Sequence, residues 1–585
     1  MIINSESLLL DVERHFKISA GPGAGKTYWL VNHIRNVLQR SARLSKTRRI
    51  ACITYSNIGV ESILKELGIK SNQVEVSTIH SFLYKHIVKP YCFFIPEEYE
   101  LNIDKLDGHH EPFVDFRKVI RWINTHPRKE HLKHPYTINQ LIKMKANRVA
   151  LINWLDSLYY KLDDYKKPII TGRRSKAFFS NGKEKPTYLS NECLETLEFN
   201  LLDYKKLYWR EGAIDHNDVI FFGYQLIRSY PFILTILQAK FPYFFIDEFQ
   251  DTDPIQVEVV KKIGQKETIV GVIGDRAQSI YGFQGANPEQ FTYFYLPGLI
   301  EFTMDNNRRS TNRIIDVLNH IRKDVEQKKY RGMGGDKPVI LVGECKKSYE
   351  KVKASYNMVY SLSRKNESAN AMKDEFENIM VNGNILDQLR AADSNSDRCN
   401  RIISCIYAAE LARNGQYKEA LKKIKFLAKD ADDIREGEKQ IIKSLYLLLT
   451  KYDTYKDKSL RTFCDFVKKS IDSSLAGFRR GQGPDSFYSG TMYKQLAIGI
   501  STENFKSMHR TIHKAKGAEF ENVMLVLTGE KELSFLLNPD LPKNEEHRIY
   551  YVALSRARDK LFINVPQLSE KNKTKLESLF DINYI

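Results

Sequence analysis

The segment Ala20–Thr27, reading Ala-Gly-Pro-Gly-Ala-Gly-Lys-Thr, constrains the fold of this chain more than any other stretch. It follows the apolar-leaning run Phe16–Ser19 and opens into Tyr28–Ile34, so it reads as strand, glycine-rich turn and helix. Such a turn belongs to a parallel α/β sheet, in which the loop N–H groups and the helix N-terminus face the carboxyl end of the strand. Gly21, Gly23 and Gly25, with Ala24, let backbone N–H groups close around a phosphate. Lys26 adds a point charge for β- and γ-phosphates, and Thr27 offers a hydroxyl to Mg²⁺. The strict pattern has glycine where Ala20 stands.

A second apolar run, Phe244–Ile246, ends in adjacent carboxylates, Asp247 and Glu248. Neighbouring side chains of an extended strand point in different directions. One acid, Asp247, can therefore hold the metal while Glu248 faces an attacking water.

Further blocks follow in a fixed order. They are Ile53–Asn57 (Ile-Thr-Tyr-Ser-Asn), Thr78–Ser81 (Thr-Ile-His-Ser), Asp247–Thr252 (Asp-Glu-Phe-Gln-Asp-Thr), Gly274–Ala286, Asn307–Thr311, Thr511–Phe520 and Tyr551–Ala557. With the glycine-rich turn they run from residue 20 to residue 557, and in content and order they resemble the signature blocks of superfamily 1 helicases of the UvrD/Rep/PcrA type. No single block decides the matter; their order does.

The resemblance implies an α/β fold of two RecA-like parallel-sheet motor domains, each with a mainly helical insertion, working on ATP and Mg²⁺. Gln278 would touch the γ-phosphate or its water, and Arg309 and Arg556 would be arginine fingers supplied by the second motor domain. Arg308 replaces the family's aromatic residue beside adenine and keeps a planar stacking surface. Thr54, Asn57, Thr78, His80, Thr511 and His513 would contact phosphate and sugar, which carry no sequence information. Tyr281 and Phe283 would stack on single-strand bases. Two departures stand out. Relatives carry Trp-Arg where this chain has Phe283-Gln284, which removes one cationic contact, and residues 1 to 19 contain no glutamine of the kind that reads adenine.

Spacing between the blocks assigns 1–85 and 213–300 to the first motor domain and 86–212 to its insertion. It assigns 301–345 and 501–585 to the second motor domain and 346–500 to a reduced helical insertion. Helical spacing is legible at Val119–Asn124 in the first insertion, and at Ala408–Ala412, Ala420–Ala428 and Ile441–Leu449 in the second. Between Lys166 and Lys185 seven basic residues (Lys166, Lys167, Arg173, Arg174, Lys176, Lys183, Lys185) accompany one acid, Glu184, with Phe178 and Phe179 interleaved; Pro168, Gly172 and Gly182 make this a loop or hairpin, either one suited to a nucleic-acid backbone or a solvated one.

The net charge of +18 and the pI near 9.2 agree with a polyanionic partner. Seven scattered cysteines with no Cys-x-x-Cys spacing indicate neither a zinc site nor an iron–sulfur cluster. No apolar run reaches the ~18 residues that span a bilayer, and the N-terminus lacks a signal-peptide pattern, so no membrane and a cytoplasmic location are expected. The partners implied are single-stranded or tailed duplex DNA. The activity implied is an ATP-dependent helicase or translocase moving 3′→5′ on single-stranded DNA. The alternative is a DNA-activated ATPase that acts as a sensor or assembly subunit beside a separate nuclease, as compact UvrD-like proteins do in anti-phage systems such as Gabija. The shortened second insertion and the Phe283-Gln284 pair favour that alternative.

Overall fold

The computed structural model describes residues 1–68, 72–109, 113–181, 185–372, 384–428, 434–479, 481, 483–500 and 507–585. Its strands are β1 (Phe16–Ala20), β2 (Ile50–Thr54), β3 (Val74–Thr78), β4 (Leu158–Leu162), β5 (Pro168–Gly172), β6 (Phe178–Phe179), β7 (Thr187–Tyr188), β8 (Tyr243–Ile246), β9 (Ile269–Gly274) and β10 (Ile300–Met304). They continue with β11 (Asn306–Asn307), β12 (Lys328–Lys329), β13 (Val339–Val342), β14 (Val359–Ser363), β15 (His509–Thr511), β16 (Phe520–Val526), β17 (Ala557–Val565) and β18 (Asp581–Tyr584).

Two six-stranded sheets, parallel throughout, carry the molecule. The first has the order β10-β1-β9-β8-β2-β3 and the second β15-β14-β16-β17-β13-β18. Their inner strands are apolar runs because helices cover both faces. In β8, Phe244 and Ile246 enter one core with Phe82 and Phe222, whereas Tyr243 and Phe245 enter the other with Trp29 and Ile34. In β16 the same period-2 alternation sends Val523 and Leu525 to one side and Met524 and Val526 to the other.

Two boundaries differ from those that spacing suggests. Ile300–Met304 pairs with β1 in register Phe16 to Ile300, so the first sheet extends past residue 300. Val359–Ser363 pairs with β15 and β16, so the second sheet claims a strand from within 346–500. Strand membership is a long-range pairing, invisible to local spacing.

The insertions are largely helical. Val119–Asn124 lies in the helix Phe116–Thr125, Ala408–Ala412 in Ser396–Arg413 and Ile441–Leu449 in Ile434–Thr450, while Ala420–Ala428 is divided between the helix Tyr417–Lys423 and a 3₁₀ turn. Of the basic stretch, residues 166–181 take the hairpin alternative. β4 and β5 form an antiparallel hairpin, a 3₁₀ turn spans Arg174–Lys176, and β6 pairs with β7. Lys166 in the hairpin turn (φ 56°) pairs with Glu258, and Arg174 pairs with Glu198, so part of the expected free charge is neutralised. Gly182, Lys183 and Glu184 lie outside the described residues. Among the described residues no single helix is long and apolar enough to cross a membrane, and the cysteines are free.

Candidate nucleotide and nucleic-acid site

The site forms where both sheets present loops. β1 delivers Gly21–Thr27, β8 delivers Asp247 and Glu248, and β9 delivers Asp275–Gln278, all from carboxyl ends of adjacent strands. Gly23 and Gly25 have φ of 70° and 82°, a region that glycine enters without a Cβ penalty. Gly25 caps the helix Lys26–Arg40, whose first turn holds no acid, so its N-terminus is left to an anion.

The Thr27 hydroxyl donates to Asp247 Oδ2 at 3.3 Å, an oxygen pair that suits a shared hard divalent cation. Burial, reinforced by the charge of Glu248, pushes the Asp247 carboxyl up. Burial acts on Glu248 as well, but Lys26 and Lys516 outweigh it and hold this carboxylate low. Excess buried negative charge beside Thr27 fits Mg²⁺, and an ionised Glu248 fits a base. Glu248 also sits at φ 54°, unusual for a residue with a side chain, and accepts from Gln250 Nε2 at 2.5 Å. Gln250 is fully buried and its carbonyl accepts from the Asp275 N–H at 2.9 Å, so the β8 and β9 loops are joined through one amide.

The second motor domain closes on this loop set. Arg308 N–H donates to Gly23 O at 2.9 Å, and a Cβ on Gly23 would lie 2.8 Å from Arg309 Cβ. Arg309 bonds Ser555 O at 2.8 Å and Glu519 at 2.6 Å. Arg556 is 3% exposed and donates to Gln278 Oε1 at 2.8 Å. Gln278 in turn donates to Asp275 at 2.6 Å. Burial and the neighbouring Arg309 push Arg556 down to about 9. Among the described residues the Nε groups of Arg308 and Arg309 are buried without a hydrogen-bond partner. Crowded cations with idle donors are what a triphosphate would satisfy. The Arg308 plane lies 3.9 Å from the Tyr330 ring centre and its Nη1 meets Glu6 at 2.7 Å, so one face of the expected stacking surface is already covered.

The residues expected on DNA divide into two groups. Thr78 ends edge strand β3 and caps the helix Ile79–Leu83; Thr511 ends edge strand β15 and caps Ile512–Ala515. Each is followed by Ile-His, so both sheets finish one edge with the same Thr-Ile-His device. The histidines then part company. His513 bonds Ile280 O at 3.2 Å and packs edge-on to Phe283 at 5.2 Å, whereas His80 faces His216 and His109 at 5.2 and 6.5 Å. Burial pushes both down, His513 to about 4 and His80 to about 3, so both are neutral near pH 7. Tyr281 stacks on Tyr55 at 4.5 Å, and Phe283 is 44% exposed, available to a base. Thr54 lines the cleft with Thr27, Asp247, Glu248 and Tyr281, while Asn57 starts the helix Asn57–Leu67.

Several residues emerge only from the fold. Lys516 joins Asp251 and the Gln278 carbonyl, the latter at 2.7 Å, and lies 4.9 Å over Tyr281, bridging the catalytic loops to the aromatic group. Both it and Glu519 stand in the block Thr511–Phe520, which offered the signal. Gln327 offered none: it is buried, accepts from Asn307 at 2.8 Å and donates to Tyr551 at 2.9 Å.

Two parallel-sheet domains with a phosphate loop on one and paired arginines from the other define a nucleotide-driven motor of the helicase class. The UvrD/REP helicase N-terminal domain matches residues 4–296, and the UvrD-like helicase C-terminal domain matches residues 415–567. The chain belongs to the UvrD/REP helicase family and is an ATP-dependent DNA helicase by type. It is 23% identical to the Gabija protein GajB of Bacillus cereus (strain HuB5-5), over 95% of this chain and 93% of that one. It is 21% identical to the putative ATP-dependent DNA helicase YjcD of Bacillus subtilis (99% and 80% covered). It is 24% identical to the ATP-dependent DNA helicase PcrA of Leuconostoc citreum (93% and 79%).

Proposed function

We propose that this chain is a motor that moves 3′→5′ along single-stranded DNA and couples ATP hydrolysis to strand separation. The observation that carries the reading is the approach of Arg309 and Arg556, from the second motor domain, to Gly23 and Gln278 of the first. In this reading Gly21–Lys26 hold the phosphates, and Thr27 and Asp247 hold Mg²⁺, which neutralises phosphate charge when bound. Glu248 takes a proton from the attacking water, and the amide of Gln278 orients that water. Arg309 and Arg556 stabilise charge on the equatorial oxygens, Arg308 flanks the base, and closure of the cleft completes the set. Thr54, Asn57, Thr78, His80, Thr511 and His513 hold the strand's backbone while Tyr281 and Phe283 stack on bases. Unwinding of 3′-tailed and 5′-tailed duplexes, measured beside ATP hydrolysis, tests this. ATP-dependent opening of the 3′-tailed substrate alone is expected, and opening of neither removes the motor reading.

A second reading is favoured by the near full-length similarity to a Gabija protein and by Gln284, whose carbonyl is engaged by the Tyr55 hydroxyl. The chain would then act in antiviral defence as a DNA-activated ATPase beside a separate nuclease, with little unwinding. DNA-stimulated hydrolysis without opening of either substrate is its expected signature.

A further inference from the structure

We propose that Arg173, from the first insertion, is the cation that grips the DNA strand beside Phe283 and positions the turn carrying that ring. The inference rests on the reading of Phe283 as a stacking residue.

Phe283 sits in the short 3₁₀ turn Gly282–Gln284, and the peptide groups of Gly282 are held from both sides by other parts of the chain. Its N–H donates to Glu545 Oε1, from the second motor domain, at 2.8 Å. Its carbonyl accepts from Arg173 Nη1, from the first insertion, at 3.2 Å. A Cβ at 282 would lie 2.7 Å from Glu545 Oε1, so a side chain there would displace the carboxylate that holds the Gly282 N–H.

Arg173 is itself fixed. It follows the last residue of β5, its N–H donates to Ser157 Oγ at 3.1 Å, and its guanidinium stacks 4.5 Å from the Tyr159 ring centre. Nη2 lies 3.7 Å from the point where a Cβ on Gly285 would stand, so the plane runs along the turn from 282 to 285.

The charge on this arginine is underused. Lys166 and Arg174 have carboxylate partners, but among the described residues Arg173 forms no salt bridge, and its guanidinium has one hydrogen-bond acceptor, the backbone carbonyl of Gly282. A guanidinium carries five donors, and leaving them idle in a half-buried position is costly unless an anion arrives. Burial pushes this arginine down, and the charges of Tyr159 and Glu545 offset that only in part. Gln284, next to the ring, is neutral and its carbonyl is taken by Tyr55. Arg173 is therefore the cation placed to meet the phosphate of a nucleotide stacked on Phe283, and the planar head can hold Gly282 O and a phosphate at once.

The test is equilibrium binding of a labelled oligo(dT) by the full chain across a salt series. Arg173→Gln keeps an N–H donor for Gly282 O but removes the charge; Arg173→Lys keeps the charge. The glutamine variant should bind severalfold more weakly and lose about 0.7 from the log–log salt slope, while the lysine variant keeps the wild-type slope. Phe283→Ala, measured in parallel, should weaken binding with the slope unchanged, because stacking depends little on salt. A wild-type slope and affinity in Arg173→Gln, with Phe283→Ala impaired, would overturn the role of Arg173. If Phe283→Ala binds like wild type, the stacking reading beneath it falls instead.

Discussion

Gly23→Ala separates nucleotide binding from hydrolysis, because the space denied to a Cβ at that position belongs to the opposite motor domain. The methyl would stand 2.6 Å from Asn307 Oδ1 and 2.8 Å from Arg309 Cβ, where ordinary contact begins at 3.4 Å. Asn307 Oδ1 also accepts from the N–H groups of Arg309 and Ser310, at 2.9 and 3.0 Å, so the intruding methyl disturbs the turn that aims the arginine. The segment has to retreat by roughly 0.6–0.8 Å, and misplacement near 1 Å at a reacting centre costs on the order of 10²-fold. Left-handed φ adds about 1–2 kcal/mol of strain, paid in the free and bound states alike and so with little effect on affinity. Turnover at saturating ATP and DNA should therefore fall by about 10²-fold, while affinity for a non-hydrolysable ATP analogue changes by less than about tenfold. Gly25→Ala is the contrast. Its methyl would meet Ser5 Cβ at 2.8 Å within the same motor domain, so nucleotide binding itself should suffer. Steady-state hydrolysis and equilibrium dialysis of the two variants decide the matter. Turnover of Gly23→Ala within about threefold of wild type, or equal loss of binding in both, would refute the reasoning.

Other outcomes follow from the same geometry. Glu248→Gln should retain nucleotide binding and abolish steady-state hydrolysis, whereas Lys26→Ala should weaken the binding of a fluorescent ATP analogue, since only the second change removes charge from the phosphates. Arg309→Ala and Arg556→Ala should each lower turnover by about 10³-fold or more with a much smaller change in ATP affinity, measured by the same two assays. His33 is buried between Phe16 and Trp29, and burial pushes it down to about 3 from an ordinary 6.5. The unfolded chain binds that proton first, so stability should fall as pH drops from about 6.5 towards 3 and be flat above. His33→Phe should remove that part of the acid limb in urea melts.

The nucleotide half of the site was legible because its residues cluster in short blocks whose chemistry is local. The turn Gly21–Thr27 and the pair Asp247–Glu248 each state a strand end and a charge pattern within a few residues. What escaped depends on long-range pairing. Nothing near Ile300–Met304 announces that it will lie beside Phe16–Ala20, since any apolar strand could. Gln327 has no local pattern and matters only because the fold sets it between Asn307 and Tyr551. Arg173 could be read as one basic residue among seven, and only the fold singles it out, by bringing it to Gly282 while Arg174 meets Glu198.

The Thr-Ile-His endings on the edge strands β3 and β15 have a consequence for direction. A strand laid across both edges would meet two equivalent footholds, and equal footholds cannot by themselves rectify motion. The asymmetry has to come from their surroundings. His513 packs against the Phe283 ring and bonds Ile280 O, so in the proposed motor cycle its foothold would move with the turn that carries that ring. His80 packs instead against His109 and His216. If both endings hold the strand as proposed, one grip would be geared to the fuel cycle and the other would serve as a passive pawl, an arrangement that would let a ratchet keep its sense of travel.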